Sequence, residues 1–429
     1  MAALMKEPAI RPRIIIHGGA GNITRENLPP AAYHEYREAL LGILQDANSR
    51  LVLPGATALD VATFAVELLE NNALFNSGHG AVYTRAGTHE LEASVMVSRG
   101  YKKRGVGVMR LTRVKNPIQL AREMLRRGEE KDGGGAHQHC QIAGETCNQL
   151  AEKWGLDMVE PSYFWTRRRW DEHRRGLGKE HDDETYKRHR KEIDAGRESS
   201  NVSDHDSVVG DPSWNGHDYL PQGTVGCVVM DSTGTLCTAT STGGITNKVV
   251  GRIGDTPTLG AGFWAEEWTS TKAMPYLNTT LPSPMSSLSN LLSDCLPSMS
   301  GYLPVPLSAS IVSSRRGAAM SGTGNGDSFL RVNAVRTAAA MARFSSSECS
   351  TVSLQKAVTA VAGPNGVLQQ SAEDRWHQTG EGEGGIIGVE LANGQGQIVA
   401  DFNCGGMFRT WMDDKGKAQM MIFREEYRE

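Results

Sequence analysis

A glycine–threonine pair, Gly223-Thr224, opens the segment that most restricts how this chain of 429 residues can fold. Two runs rich in β-branched residues follow, at 224–230 and 235–241, with the turn residues Asp231-Ser232-Thr233-Gly234 between them. This spacing predicts an antiparallel hairpin whose first strand begins at the threonine. A hairpin here, in place of a helical crossover, favours antiparallel sheets.

The rest of the chain mixes helical and strand-like periodicity. Strands flank the helices at both ends, which favours an α+β sandwich of stacked, mainly antiparallel sheets with helices outside. Apolar residues at helical spacing predict helices over 31–48, 57–71, 116–128, 139–154, 327–343 and 353–362. Short apolar or alternating runs predict strands over 13–17, 81–84, 316–322, 385–391, 396–402 and 418–423, the first ending in a turn at His17-Gly18-Gly19-Ala20-Gly21.

Two regions lack such periodicity. Residues 165–215 begin with dense mixed charge and few apolar residues, which predicts a solvated helix or a flexible linker. Residues 281–315 are rich in serine and proline and predict a long surface loop. The mixed signs of the first region and a net charge of -4 argue against nucleic-acid binding.

Composition indicates the cellular compartment in which we expect the protein. No run of about 18 apolar residues occurs, so the sequence predicts no membrane span. The seven cysteines are scattered with no CxxC pair, and residues 1–8 lack the apolar run of a secretion signal. We therefore expect a protein of a reducing compartment, the cytoplasm.

Thr224 can act as a strong nucleophile only if the bond before it is cut. A free N-terminal threonine supplies a hydroxyl and, in its own α-amine, a base with a pKa of about 8. Gly223 suits self-cleavage, because glycine tolerates the strained backbone that attack on the preceding carbonyl demands. A surface threonine at a strand start is the simpler interpretation of these residues alone.

The block after the hairpin adds groups suited to a small zwitterion. Thr242 ends the second strand, where it can lie beside Thr224. Arg252 offers a planar fork for a carboxylate, and Asp255 can hold an ammonium, as the two ends of an amino acid require. A surface ion pair within a loop is the alternative.

Six segments in order resemble the plant-type asparaginase and isoaspartyl peptidase family, which belongs to the N-terminal nucleophile hydrolases. One of them runs from Gly223 to Asp255. The order is kept over nearly the whole chain, interrupted only by the two aperiodic regions. The other five segments are Ile16–Gly21, Leu74–Val82, His89–Met96, Gly322–Asp327 and Phe402–Met407.

The resemblance implies a four-layer αββα sandwich, one domain cleaved between Gly223 and Thr224 into subunits 1–223 and 224–429. It implies a threonine amidohydrolase that attacks the side-chain amide of L-asparagine or a β-aspartyl peptide through an acyl-enzyme on Thr224. The implied roles of the other residues are orientation of the nucleophile (Thr242), proximity to it (Asn76), substrate binding (Arg252, Asp255, Gly324, Gly326) and the oxyanion hole (Thr323, Gly324).

The resemblance also implies a sodium ion and an assembly. The assembly is a dimer of cleaved αβ heterodimers, and we expect no cofactor besides the ion. Departures from the family pattern at Val97, Gln222 and Gly405 spare the implied catalytic residues but bear on the rate of maturation. The sodium ligands would be the backbone carbonyls of Leu69, Glu70, Asn72, Phe75, Ser77 and His79.

Other functions fit parts of the sequence. A glycosylasparaginase-like amidase would share the nucleophile, but those enzymes are secreted or lysosomal and usually carry disulfides. The threonine-aspartase protease branch lacks the aspartate found here as Asp255. An uncleaved, inactive homologue could act as a binding scaffold through the two aperiodic regions. A zinc site is a further alternative, with His137, His139, Cys140 and Cys147 as its ligands.

Overall fold

The computed structural model describes residues 10–196, 223–273, 311–345 and 352–427. These residues form four layers: helices, an eight-stranded sheet, a four-stranded sheet and further helices. The predicted αββα sandwich of mainly antiparallel strands is therefore confirmed.

The described residues form twelve strands and ten α-helices. The strands are β1 (Arg13–Gly21), β2 (Leu91–Val97), β3 (Gly105–Leu111), β4 (Gln141–Ala143), β5 (Val225–Met230), β6 (Leu236–Thr242), β7 (Phe263–Ala273), β8 (Ile311–Gly324), β9 (Gly384–Ala392), β10 (Gln395–Phe402), β11 (Gly406–Met412) and β12 (Ala418–Met421). The helices are α1 (Pro30–Leu51), α2 (Ala58–Glu70), α3 (Pro117–Arg126), α4 (Glu145–Lys153), α5 (Arg167–Gly176), α6 (Asp183–Asp194), α7 (Gly326–Val332), α8 (Ala334–Phe344), α9 (Leu354–Ala362) and α10 (Val367–Gln370).

The large sheet has the strand order β12-β11-β1-β5-β6-β2-β3-β4, and only the β3–β4 pair at its edge is parallel. The predicted hairpin is its centre: Val225 pairs with Ser241 and Met230 with Leu236. Every residue of β5 and β6 is buried. Thr224 therefore directly precedes a central strand that is covered on both faces.

The small sheet has the order β10-β9-β8-β7 and lies against the inner face of the large one. Apolar residues of both sheets meet between them, among them Val228 of β5 and Phe263 of β7. The last residues of β8, Thr323 and Gly324, pair with Gly385 and Gly384. The four-layer stacking thus brings the end of β8 to the same edge as the start of β5.

Helices cover the outer faces of both sheets. The helix α2 begins at Thr57, whose side chain accepts a hydrogen bond from Asp60 N, and it buries its apolar face against the large sheet. Helices α8 and α9 cover the small sheet through mainly alanine and valine side chains. The prediction of one continuous helix over 327–343 is wrong. The structure has two helices, because Asn333, at φ 47°, separates α7 from α8.

The described part of the mixed-charge region, which begins at residue 165, packs against the rest of the protein. Residues 167–176 and 183–194 form α5 and α6, and α5 buries Trp170 and His173 as well as an Arg169–Glu172 ion pair of 2.9 Å. A solvated or flexible segment was thus a wrong prediction for α5, because its charges neutralise each other while its aromatic side chains pack inward. The remainder of that region, 197–215, lies outside the described residues.

Four local predictions also need correction. No strand forms over 81–84, where Thr84 makes only an isolated bridge to Lys248. The turn expected after His17 is part of β1, which accommodates it as a bulge between His17 and Gly19. The helix predicted over 139–154 begins later than expected, as α4, because strand β4 precedes it. Residues 311–315 of the expected loop belong to β8, and 281–310 lie outside the described residues.

Candidate active site

Thr224 is buried, with 6% of its surface exposed, at the point where β5 begins. The residue before it is enclosed: a Cβ on Gly223 would lie 2.5 Å from Ala20 N and 2.6 Å from Gly19 Cα and Thr323 Oγ1. Real Cβ atoms do not approach so closely, so only glycine fits. The sequence predicted that glycine is required here for its backbone flexibility. The structure shows a second reason, which is that there is no space for a side chain.

The bulge after His17 lies beside Gly223, as the resemblance implies. Gly19 has φ +123°, and a Cβ on it would meet Gly223 Cα at 3.3 Å. His17 is fully buried, its Nε2 is 2.6 Å from Ser321 Oγ, and burial lowers its pKa to about 3. A neutral imidazole therefore connects β1 to β8 next to the Gly223–Thr224 bond.

Arg252 and Asp255 line one pocket together with Thr224. Asp255 is buried, and its Oδ2 has no hydrogen-bond partner among the described residues. Arg252 Nη2 donates to Asp327 Oδ2 at 2.8 Å, while its buried Nε has no partner within the same ranges. The structure thus differs from the alternative of a surface ion pair between Arg252 and Asp255: Asp255 is buried, and in the described ranges Arg252 pairs with the more exposed Asp327 instead. The residues around this pocket are Glu92, Thr224, Thr242, Gly244, Ile245, Arg252, Asp255, Gly324 and Gly326.

Gly326 makes room for both charged groups. A Cβ on it would lie 2.5 Å from Asp255 Oδ1 and 3.0 Å from Arg252 Nη2. Burial raises the pKa of Asp255 to about 7, although the Arg252 guanidinium lowers it. A carboxylate that is costly to ionise alone becomes favourable to ionise when a cationic ligand arrives.

Two acidic residues missed by the sequence reasoning hold the loop that carries Arg252. Glu90 Oε2 accepts a hydrogen bond from Gly251 N at 2.7 Å, and Glu92 Oε1 accepts one from Gly254 N at 3.2 Å. Glu92 also lies 3.7 Å from the buried Lys248 Nζ. Burial raises the pKa of Glu92 and lowers that of Lys248. The only sequence signal was a pair of carboxylates inside an otherwise apolar run.

The charged region reaches this loop as well. His173 Nδ1 of α5 lies 2.6 Å from Asn247 Oδ1, and Asn247 Nδ2 donates to His173 O at 3.2 Å. Asn247 has φ 58° and directly precedes Lys248. Helix α5 therefore holds a left-handed turn of the pocket loop from outside the sandwich.

Thr323 lies across from Thr224, at the end of β8. It is fully buried, and its Oγ1 has no partner among the described residues. Gly324 follows with φ +140°, where a Cβ would lie 2.4 Å from Glu383 O. An unpaired hydroxyl and a glycine at a close backbone approach stand next to the Gly223–Thr224 bond, as a site for a developing oxyanion requires.

Thr242 and Asn76 shape the turn at the back of the pocket. Thr242 Oγ1 accepts a hydrogen bond from Gly244 N at 3.0 Å, and Asn76 Nδ2 donates to Gly244 O at 2.7 Å. The hydroxyl that bonds Thr224 is a different one: Thr256 Oγ1 lies 2.9 Å from Thr224 Oγ1. The sequence reasoning missed Thr256, for which the only signal was its position directly after Asp255.

The family model described as Asparaginase matches residues 10–273, more than half of the chain. This chain belongs to the asparaginase family. It is similar to a putative isoaspartyl peptidase/L-asparaginase of Dictyostelium discoideum, at 34% identity over 59% of this chain and 70% of that protein. An isoaspartyl peptidase of Escherichia coli K12 is 35% identical over 59% of this chain and 67% of its own length.

A third relative extends the similarity to nearly the whole chain. A probable isoaspartyl peptidase/L-asparaginase 2 of Arabidopsis thaliana is 28% identical over 96% of this chain and 98% of its own length. The asparaginase family has the N-terminal nucleophile hydrolase fold, so the predicted family and fold are both confirmed.

The asparaginase-family loop expected to hold sodium winds tightly after α2. A Cβ on Gly78 would lie 2.3 Å from Glu70 O, and one on Gly80 would lie 2.1 Å from Phe75 O. Only glycine therefore allows the chain at positions 78 and 80 to pass so close to these two carbonyl oxygens. Backbone N–H groups donate to the carbonyls of Leu69, Asn72, Phe75 and Ser77. Carbonyl oxygen is the ligand type that a hard cation prefers, although four of the six expected carbonyls already accept these hydrogen bonds.

The zinc alternative finds no support. Within 10–196 and the other described ranges, no three His, Cys, Asp or Glu side chains come together as a metal site would require. Cys147 is buried, with Sγ 3.2 Å from Ile142 O. Among the helices of the described ranges, none is both long and apolar enough to cross a membrane.

Proposed function

We propose that this protein is a self-cleaving threonine amidohydrolase that acts on the side-chain amide of L-asparagine and on β-aspartyl peptides. One observation carries the proposal. A single pocket contains a buried threonine that follows an enclosed glycine, together with Arg252 and Asp255. The names of the relatives, isoaspartyl peptidase and L-asparaginase, support the choice of substrates.

Cleavage begins with attack of Thr224 Oγ1 on the carbonyl carbon of Gly223. The new C–O bond forms as the peptide C–N bond breaks, and the hydroxyl proton passes to the departing nitrogen. Thr323 Oγ1, which lies next to Gly223, stabilises the negative oxygen in between, together with the Gly324 N–H that the resemblance implies as the second donor. Water then hydrolyses the ester and leaves a free α-amine on Thr224.

The mature site repeats the chemistry on a substrate. Arg252 holds the α-carboxylate, and the unpaired Asp255 oxygen accepts the α-ammonium. This grip presents the side-chain carbonyl to Thr224, whose own amine takes the hydroxyl proton. Ammonia or an amino acid leaves, and water releases aspartate from the acyl-enzyme. Gly326 contributes space for the two charged groups, while Thr242 and Asn76 fix the turn beside them.

Three further features belong to the same proposal. A sodium ion held by the carbonyls after α2 would keep the loop rigid. A dimer of cleaved heterodimers is the assembly that the resemblance implies. A reducing compartment, the cytoplasm, suits the described cysteines, all of which are free.

Substitution of the nucleophile tests the proposal directly. Wild-type protein should give two bands on a denaturing gel and release ammonia from asparagine, and Thr224→Ala should give one band and no ammonia. A wild-type chain that stays in one band after long incubation contradicts the proposal and favours an uncleaved binding scaffold. Release of aspartate from a β-aspartyl dipeptide, assayed in parallel, ranks the two substrates.

A further inference from the structure

The hydroxyl that contacts Thr224 belongs to a residue with no role in the mechanism above. Thr256 Oγ1 lies 2.9 Å from Thr224 Oγ1, and both side chains are buried. We propose that Thr256 is a positioning residue for the nucleophile, whose hydroxyl holds that of Thr224 in place for attack on Gly223. This inference rests on the self-cleavage proposed above.

Thr256 is fixed by the centre of the large sheet rather than by its own loop. Its carbonyl oxygen accepts a hydrogen bond from Ser94 Oγ at 2.7 Å and lies 3.3 Å from Thr240 Oγ1. Ser94 and Thr240 face each other on β2 and β6, and their hydroxyls bond each other. Two neighbouring strands therefore set where the Thr256 side chain can stand.

A fixed partner matters because a threonine side chain has one rotatable bond with three staggered positions. A hydrogen bond to Thr256 favours one of them and so reduces the fraction of time Thr224 points away from the carbonyl carbon. In the described part of the chain Thr242 makes no hydrogen bond to Thr224, and its hydroxyl accepts one from Gly244 N instead. Over the whole step Thr256 gains and loses no proton, because the proton of Thr224 ends on the departing nitrogen.

Three variants separate positioning from general packing. Thr256→Val removes the hydroxyl with little change of shape, and Thr256→Ser keeps it. Thr238→Val is the matched control, because Thr238 Oγ1 is buried on β6 and has no partner in the described part of the chain. Full-length chains are made by brief cell-free synthesis, which is then stopped. The fraction of chains that has been cleaved is measured over time on denaturing gels. Thermal unfolding of each variant is measured alongside.

Thr256→Val should cleave about tenfold more slowly than wild type, which is the loss expected for one missing hydrogen bond. Thr256→Ser should recover most of the rate, and Thr238→Val should match wild type. Cleavage of Thr256→Val at the wild-type rate, or equal slowing in Thr238→Val, overturns the inference. A wild-type chain that never cleaves refutes self-cleavage itself. If Thr256→Val is unfolded, Thr256→Ala replaces it with the same expected order of rates.

Discussion

Gly223→Ala is the sharpest steric test of the cleavage site. The added methyl would lie 2.5 Å from Ala20 N and 2.6 Å from both Gly19 Cα and Thr323 Oγ1. Two of these three neighbours are backbone atoms, so the backbone of β1 or of residue 223 has to move. Overpacking of this kind costs about 1–3 kcal/mol. Any shift displaces the carbonyl carbon from Thr224 Oγ1, which is the distance that the reaction depends on.

We expect cleavage of Gly223→Ala to slow by about 10- to 100-fold, since about 1.4 kcal/mol corresponds to a tenfold change in rate. The assay follows the cleaved fraction of newly made chains on denaturing gels. Gly42→Ala is the control: this glycine lies inside α1, and no heavy atom stands within 4 Å of the added methyl. It should cleave normally and gain about 1 kcal/mol of stability. Normal cleavage in Gly223→Ala would refute the steric argument.

Two more predictions concern the mature enzyme. Arg252→Ala should still cleave itself but raise KM for asparagine about 10- to 100-fold, because the substrate carboxylate loses a charged hydrogen-bonding partner; unchanged steady-state kinetics would contradict this role. Burial raises the pKa of Asp255 to about 7, so its carboxylate is ionised above that pH and neutral below it. Activity measured as kcat/KM should therefore fall steeply below about pH 7, where Asp255 as well as the Thr224 amine is protonated, and Asp255→Asn should keep only the shallower fall caused by the amine. A pH profile of the same shape in Asp255→Asn would assign the titration to another group.

The sequence predicts the features that depend on neighbours along the chain. The hairpin bounded by Val225 and Thr242 is correct to within a residue, because its turn chemistry and β-branched runs are local. Strand β2 went unrecognised because all of its residues are buried, and a strand covered on both faces shows no alternation. Helix α5 looked solvated, since its buried aromatic residues stand among arginines. The contact between Thr224 and Thr256 was missed because it depends on how the sheet places residues 32 apart.

The strand order of the large sheet has a consequence for how the cleaved protein refolds. Strands β11 and β12 come after residue 224, β1 before it, β5 and β6 after it, and β2 to β4 before it. Neither product of cleavage can therefore leave without breaking pairs in the middle of the sheet. The uncut chain folds as one molecule, whereas two separated products must meet in solution. Recovery of the mature protein after denaturation should therefore rise with its concentration, which the uncut chain should not show.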